Sequence, residues 1–416
     1  MSDLSASEAR HERSVTVVAE RLVAGGVGLC RRDDGRVVLV GGVLPGERVE
    51  VATIERRGSE HGRILRILEP SSARIEPVCP HVLEGCGGCD LAHLGHSGQD
   101  SAKIEIVSDS MRRLGRWSEP VVRSGPPLEP WGFRTTLRVA IDRGHAGLRM
   151  ASSHEVVPLD SCPIAHPLLE ELLVEGEFAG ATEALLRVGS STGERMVVVD
   201  PSADGVRLPS DVLVIGADEL AAGRRGWIHE EVGGRRWRIS AESFFQTRRD
   251  GAEVLVATVG RFAADLLDHD DPEPSTLVDA YSGVGLFAGS LLDGREHWRA
   301  VAAERGRSSV ADARVNLADL DARIVGTSIE RFRAPRARLV IADPSRAGLG
   351  RAAVKVLAGT GADRFILVSC DPAAAGRDVA LLAAAGFRPV ESVVVDMFPH
   401  THHVEVVTRL DRSGSP

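Results

Sequence analysis

From about residue 244 the chain alternates short apolar runs with helix-like stretches, and this alternation constrains the fold more than any other feature. The runs LVDAY, AVAAE, RLVIAD and FILVS end in small or acidic residues. GVGLFAGSLL, SSVADARVNLADL and GRAAVKVLAG lie between them, and PAAAGRDVALLAAAG follows the last. Strand–helix repetition of this kind predicts an α/β domain: a mostly parallel, Rossmann-like sheet covered by helices on both faces. The stretch 251–265 reads as a leading helix, and the acidic segment 268–274 as a loop before the first strand.

In such a sheet, ligands bind beyond the carboxyl ends of the strands. The first run ends at Asp279 and continues Ala-Tyr281-Ser-Gly283-Val-Gly285. Glycines there let the backbone turn tightly and approach a ligand without a Cβ in the way. Glu304 ends the second run, where a carboxylate can accept both hydroxyls of a ribose. Gly283 to Ala288 also fits the dinucleotide pattern GxGxxA, so a nicotinamide-type cofactor and a purely structural turn both stay open on this motif. The acid ahead of the glycines suits a ligand carrying an ammonium and a sulfonium better than a pyrophosphate.

The fourth and fifth strands end in Asp343-Pro-Ser-Arg346 and Ser369-Cys370-Asp371-Pro372, so both face the expected cofactor. A lone cysteine after a buried strand is usually a small core residue. Cys370, however, precedes an expected helix N-terminus, whose partial positive charge favours thiolate. A thiolate there suits addition to C6 of uracil. The resulting enolate makes C5 nucleophilic enough to take a methyl group from a sulfonium, and a base then removes the C5 proton. Glu405, in Asp396-Met-Phe-Pro-His400-Thr-His402-His403-Val-Glu405, is the candidate base.

The first part of the chain reads differently. VTVVAERL, VGLCRRD, RVVLVGG, RVEVATIERR and GRILRILEP are five short strands in about sixty residues, the pattern of an OB-type barrel. Barrels of this type bind single-stranded nucleic acid along a basic face, although a plain β-domain has the same pattern. Residues 13–74 hold eleven Arg against eight acids, in a chain of net charge -9 that argues against general nucleic-acid coating. A helix is expected over 101–115, and 133–240 reads as strand-rich. The start, MSDLSASEARHERSV, has no apolar stretch suited to a signal peptide, and no run of about 18 apolar residues follows. A cytoplasmic protein without membrane contact is therefore expected. In that setting the cysteines point to metal or catalysis rather than disulfides. Cys79-x6-Cys86-x2-Cys89 with distant Cys162 supplies four thiolates, which spacing alone leaves equally suited to zinc or an iron–sulfur cluster. Cys30, inside a barrel strand, reads as packing.

Ser-Phe-Phe-Gln246, Asp-Ala-Tyr-Ser-Gly-Val-Gly, Asp-Pro-Ser-Arg, Ser-Cys-Asp-Pro and Asp-Met-Phe-Pro-His-Thr-x-His-x-Glu occur in one order. With these motifs the chain resembles the RNA 5-methyluridine methyltransferases, over residues 13–411. The resemblance implies a class I methyltransferase using S-adenosyl-L-methionine, held by Gln246, Tyr281, Glu304 and Asp343, with Cys370 as nucleophile and Glu405 as base. It makes the barrel a TRAM domain and favours a [4Fe-4S] cluster on Cys79, Cys86, Cys89 and Cys162. Together these imply an RNA partner, 23S rRNA, and a monomeric enzyme. A tRNA T-loop enzyme and a non-catalytic RNA-binding protein are the rival readings. The expected organisation is a disordered tail over 1–12, the barrel over 13–72, a central strand-rich domain with the cysteines over 73–240, and the methyltransferase domain over 241–411. Departures from the family pattern are Ser345 for a proline, Thr247-Arg248 for Val-Asn, Leu286 for a cofactor-binding Asn of some members, and Thr327 at an acidic position. Trp131-Gly-Phe133-Arg134 matches an aromatic–Arg motif suited to stacking on a flipped base, or else to a core aromatic beside a surface Arg. His400, His402 and His403 are expected to shape the base-binding loop rather than bind metal.

Overall fold

The computed structural model describes residues 13–56, 58–151, 153–268 and 274–414. The predicted tail over 1–12 and most of the acidic loop over 268–274 lie outside them. Two compact units emerge: one comprises the chain to Val78 with 89–106 and 398–403, and the other holds the rest.

In the first unit, β1 (Arg13–Val23), β2 (Val27–Arg31), β3 (Val37–Gly41), β4 (Arg48–Arg56) and β5 (Ser59–Glu69) close into a barrel of order β1-β2-β3-β5-β4, as the OB-type pattern predicts. Alternate residues point inward, and Val17, Ala19, Cys30, Val38, Val40, Val49 and Val51 fill the barrel. Cys30 is therefore packing. The barrel's arginines are largely committed to its own acids: Arg31 to Glu20, Arg32 to Glu60, Arg66 to Glu50 and Arg74 to Glu47. The local excess of positive charge thus overstates the free cationic surface.

Glu47 is the buried member of that set. Its carboxylate accepts hydrogen bonds from Leu44 N at 2.8 Å, Ser71 N at 3.1 Å and both arms of Arg74 at 2.6 and 2.7 Å. Residues 89–106 and 398–403 complete this unit. Gln99 Oε1 accepts from His400 N at 2.6 Å, the fully buried Lys103 donates to Phe398 O at 3.0 Å, and Asp90 pairs with His402 Nδ1 at 2.5 Å. His400 and His402 thus hold residues 398–403 to the 89–106 segment.

The second unit begins with α1 (Pro80–Leu83) and takes in the end of α2 (His96–Arg113) and β6 (Val122–Ser124). Next come β7 (Thr136–Asp142), β8 (His145–Arg149), β9 (Val156–Pro158), α3 (Pro167–Glu175), β10 (Glu177–Phe178), β11 (Glu183–Val188), β12 (Arg195–Asp200), β13 (Val206–Arg207), β14 (Val212–Gly216) and α4 (Ala217–Ala221). Six of these strands form a sheet of order β14-β12-β11-β7-β8-β9. A hairpin, β15 (Trp227–Val232) and β16 (Arg235–Ser240), leads into α5 (Arg249–Leu267). The catalytic half then runs β17 (Ser275–Ala280), α6 (Leu286–Leu292), β18 (Trp298–Glu304), α7 (Arg307–Asn316), β19 (Ala322–Gly326), β20 (Leu339–Ala342), α8 (Gly350–Ala358), β21 (Arg364–Ser369), α9 (Pro372–Ala384), β22 (Phe387–Val395) and β23 (Glu405–Arg412).

These last strands form an eight-stranded sheet of order β19-β18-β17-β20-β21-β23-β22-β6. Every residue of β20 and β21 is buried, as strands covered on both faces must be. The parallel part matches the predicted alternation. β23 is antiparallel to both β21 and β22, and β6 pairs parallel with β22. β6 thus belongs to the eight-stranded sheet, although the sequence places it within the span expected for the central domain. Three residues are too short for a periodic signal. Among the described residues, no helix is long and apolar enough to cross a membrane.

Replacing Glu47 by Ala strips Arg74 and two backbone amides of their shared acceptor. The expected loss is about 3 kcal/mol or more for a broken buried pair, read as a lower urea midpoint for the barrel transition.

Candidate active site

The glycine turn after β17 is built from positive backbone angles. Tyr281 has φ 60°, Gly283 φ 55° and Gly285 φ 94°, and Gly285 caps α6. A Cβ on Gly285 would lie 2.9 Å from the Leu317 side chain, so both conformation and space demand glycine there. Glu304, at the end of β18, reaches across this turn. Its Oε2 accepts from Gly283 N at 3.1 Å and its Oε1 from Gly306 N at 2.6 Å. The carboxylate is thereby oriented with lone pairs to spare.

Asp279 is wholly buried. One oxygen accepts from Ala288 N at 3.1 Å, while Oδ1 has no protein partner. Burial, reinforced by Glu304, pushes its carboxyl up to about 7. Asp343, beyond β20, is also pushed up to about 7 by desolvation and by Asp279, although part of its surface still reaches solvent. Tyr281 is pushed up to about 12 by burial, with Glu330 and Asp378 adding to it. Gln246 is buried on the segment between β16 and α5. Neighbouring Phe244 is 63% exposed, an unusual position for an aromatic that the sequence did not single out.

Cys370 and Glu405 meet through sheet register. Ser369 pairs with Val406 in the antiparallel β21–β23 ladder, so the next residue out on each strand is Cys370 and Glu405. Glu405 is 6% exposed, and its Oε2 has no hydrogen-bond partner. Burial and Asp343 hold its carboxyl well above the ordinary range, against the opposing pull of Arg346. Asp371 caps α9 by accepting from Ala374 N at 2.6 Å, which places Cys370 immediately before the helix N-terminus, as expected. Burial works against the thiolate that the helix end favours. Burial pushes the Cys370 thiol up to about 12, with Glu405 and Asp343 adding to it and Arg346 opposing. Desolvation and two neighbouring acids outweigh the helix end.

Arg346, in a quoted motif but without an assigned role, is the cation that counters the acids at both Cys370 and Glu405. Asp378 on α9 was also missed. It accepts from Leu349 N at 2.7 Å and Gly350 N at 3.1 Å, holding the loop after Asp343 to the helix after Cys370. An acid within a helical pattern reads as a solvated face, so no sequence signal marks it.

Phe133 is 7% exposed and lies under the Arg248 guanidinium at 4.3 Å. Arg248, itself fully buried, is anchored on Asp250 at 2.6 and 2.7 Å and on Glu129 O at 2.8 Å. The Arg at a family Asn position is therefore a core clamp, and Phe133 is a core aromatic; Trp131 remains 38% exposed.

Of the cysteine set, Cys79, Cys86 and Cys162 lie in the second unit and Cys89 opens a segment of the first. All are free. Cys79 and Cys86 each raise the Cys162 thiol, behind burial as the main cause, and so lie within electrostatic reach of it. His81 ties the two cysteine-bearing loops together, contacting Asp160 and Glu84 at 2.9 Å each.

The parallel sheet of order β19-β18-β17-β20-β21 with antiparallel β23, and a glycine turn facing an acid on the next strand, define a class I methyltransferase fold. No family model matches the chain. It is 35% identical to an uncharacterized RNA methyltransferase of Streptomyces avermitilis, over 93% of this chain and 95% of that one. It is 32% identical to a second, of Gloeobacter violaceus, over 96% and 97%. Among solved structures it resembles the Pyrococcus abyssi tRNA (uracil-54, C5)-methyltransferase in complex with S-adenosyl-L-homocysteine. That match has a TM-score of 0.70 and 24% identity, covering 95% and 99% of the two chains. The chain belongs to the RNA methyltransferase family.

Alkylation of Cys370 by iodoacetamide, followed by peptide mass spectrometry, tests the site's electrostatics. With the thiol at about 12, the rate should climb about tenfold per pH unit from 7 to 10 without a plateau. Arg346→Ala removes the opposing cation and should slow alkylation further at every pH.

Proposed function

We propose that this enzyme methylates C5 of a uridine in RNA, with S-adenosyl-L-methionine as donor, Cys370 as nucleophile and Glu405 as base. The observation that carries the reading is the juxtaposition of Cys370, next after Ser369, with a buried Glu405 whose Oε2 has no hydrogen-bond partner, at the carboxyl end of the sheet. Gln246, Asp279, Tyr281, Gly283, Gly285, Glu304 and Asp343 are assigned to the donor. The orphaned Asp279 Oδ1 and the oriented Glu304 carboxylate suit an ammonium and a ribose. Bound there, S-adenosylmethionine supplies the methyl group and a positive charge beside the crowded acids. Cys370 gives up its proton to solvent, and its thiolate adds to C6 of the uracil as the C5–C6 π pair moves into an enolate. C5 then takes the methyl group from the sulfonium, which leaves as a neutral thioether, Glu405 removes the C5 proton, and the C6–sulfur bond breaks to restore the C5–C6 double bond and release the thiolate.

Cys79, Cys86, Cys89 and Cys162 would hold a [4Fe-4S] cluster, and the barrel would act as a TRAM domain gripping RNA. The resemblance to the iron–sulfur members of the family supports the cluster over a single zinc, which the four thiolates would also suit. No step above uses an electron, and the cluster's role is structural. The cluster-ligand set and the barrel together favour 23S rRNA as substrate. The likeness to a tRNA-modifying enzyme keeps tRNA as the second reading.

Tritium release from RNA carrying [5-³H]uridine tests the reaction, with 23S rRNA fragments and tRNA compared in parallel. Cys370→Ala should lower release at least about 10³-fold; activity that persists would sink the mechanism. Glu405→Gln should slow turnover by about 10²–10⁴-fold and leave an RNA–protein adduct on denaturing gels. Anaerobically purified protein should be brown with about four irons per chain, whereas one zinc and no colour would overturn the cluster.

A further inference from the structure

The segment that delivers Gln246 is held by one helix. Asp312 on α7 is fully buried, and each of its oxygens accepts two hydrogen bonds. Oδ1 takes Arg238 Nε and Ser240 Oγ, both at 2.7 Å, while Oδ2 takes Ser240 N at 2.8 Å and Ser243 Oγ at 2.6 Å. All four donors lie between the middle of β16 and Ser243, three residues before Gln246. One turn along the same face, Asn316 accepts from Arg238 N at 2.8 Å and donates to Arg238 O at 3.1 Å. It also donates to Val284 O at 3.0 Å, inside the glycine turn. At its other end, α7 starts beside Gly306, whose amide donates to Glu304. One short helix therefore touches the Gln246 segment, the glycine turn and the loop that orients Glu304. A carboxylate removed from water is costly unless its acceptor sites are filled, and here all the donors come from one functional segment.

We propose that Asp312 is a positioning residue for the methyl-donor site, fixing Gln246 against Glu304 by clamping residues 238–243 onto α7. The proposal rests on the assignment of Gln246 and Glu304 to S-adenosylmethionine. Asp312 touches no reacting atom; it acts through Gln246. Asp312→Asn keeps the volume but turns an amide NH₂ toward donors, and the Ser240 N–H cannot reverse its role to accept from it. Ser243→Ala is milder, since it removes the hydroxyl's contacts with Asp312 and Ser308 and leaves the carboxylate in place.

The test is calorimetric titration of the full chain with S-adenosylhomocysteine, alongside thermal melting. Asp312→Asn should weaken binding about tenfold, the scale of one lost charge-assisted hydrogen bond, and Ser243→Ala should weaken it less but in the same direction. The deciding measurement is a double-mutant cycle with Gln246→Ala. If Asp312 works through Gln246, adding Asp312→Asn to that background should cost less than about threefold. Variants that melt lower yet bind like wild type would overturn the proposal, as would fully additive losses. Wild-type protein that fails to bind S-adenosylhomocysteine, or Gln246→Ala that binds as tightly as wild type, would instead bring down the site assignment and the proposal with it.

Discussion

The candidate site depends on one reversal of chain direction. In a parallel sheet each strand sends only its carboxyl end to the ligand side, so it presents residues such as Asp279, Glu304, Asp343 and Cys370. β23 runs the other way between β21 and β22, and therefore brings its first residue, Glu405, to that same edge. Pairing of Ser369 with Val406 then sets Cys370 and Glu405 against each other without a dedicated loop. Sheet register is strongly specified where both faces are buried, because a one-residue slip reverses every side chain. The chemistry thus inherits its geometry from the core.

The second constraint is electrostatic crowding. Desolvation pushes Asp279, Asp343 and Glu405 toward their neutral forms, and Arg346 opposes this at Glu405. Such a cluster stores a preference for incoming positive charge. In the proposed reaction a sulfonium meets that preference, so donor binding and thiolate formation are linked through the same carboxylates.

Much of this organisation was legible in the sequence because it depends on patterns that repeat. The strand–helix alternation, the five barrel strands and the placement of Asp279, Glu304, Asp343 and Cys370 at strand ends all follow from apolar periodicity and glycine. What stayed hidden depends on contacts between distant segments. β6 is three residues long, and its partner β22 lies far along the chain. Arg248 looks like a surface arginine until Phe133 and Asp250 close around it. Asp312 and Asp378 sit in helices whose pattern makes them appear solvated, and only the structure shows loops hanging from them. For Cys370, the helix N-terminus can be read locally, whereas desolvation by surrounding strands cannot.

The barrel unit is discontinuous, and this bears on the order in which the protein forms. Lys103 reaches Phe398 across 295 residues, Gln99 reaches His400 across 301, and Asp90 reaches His402 across 312. During synthesis the five barrel strands emerge first and can pair at once. The buried Lys103 ammonium and the Gln99 amide, however, lack these partners until nearly the entire methyltransferase sheet has been translated. Long-range closures of this kind form late and slowly. A chain ended before residue 398 would therefore leave Lys103 and Gln99 without the partners they meet in the native fold.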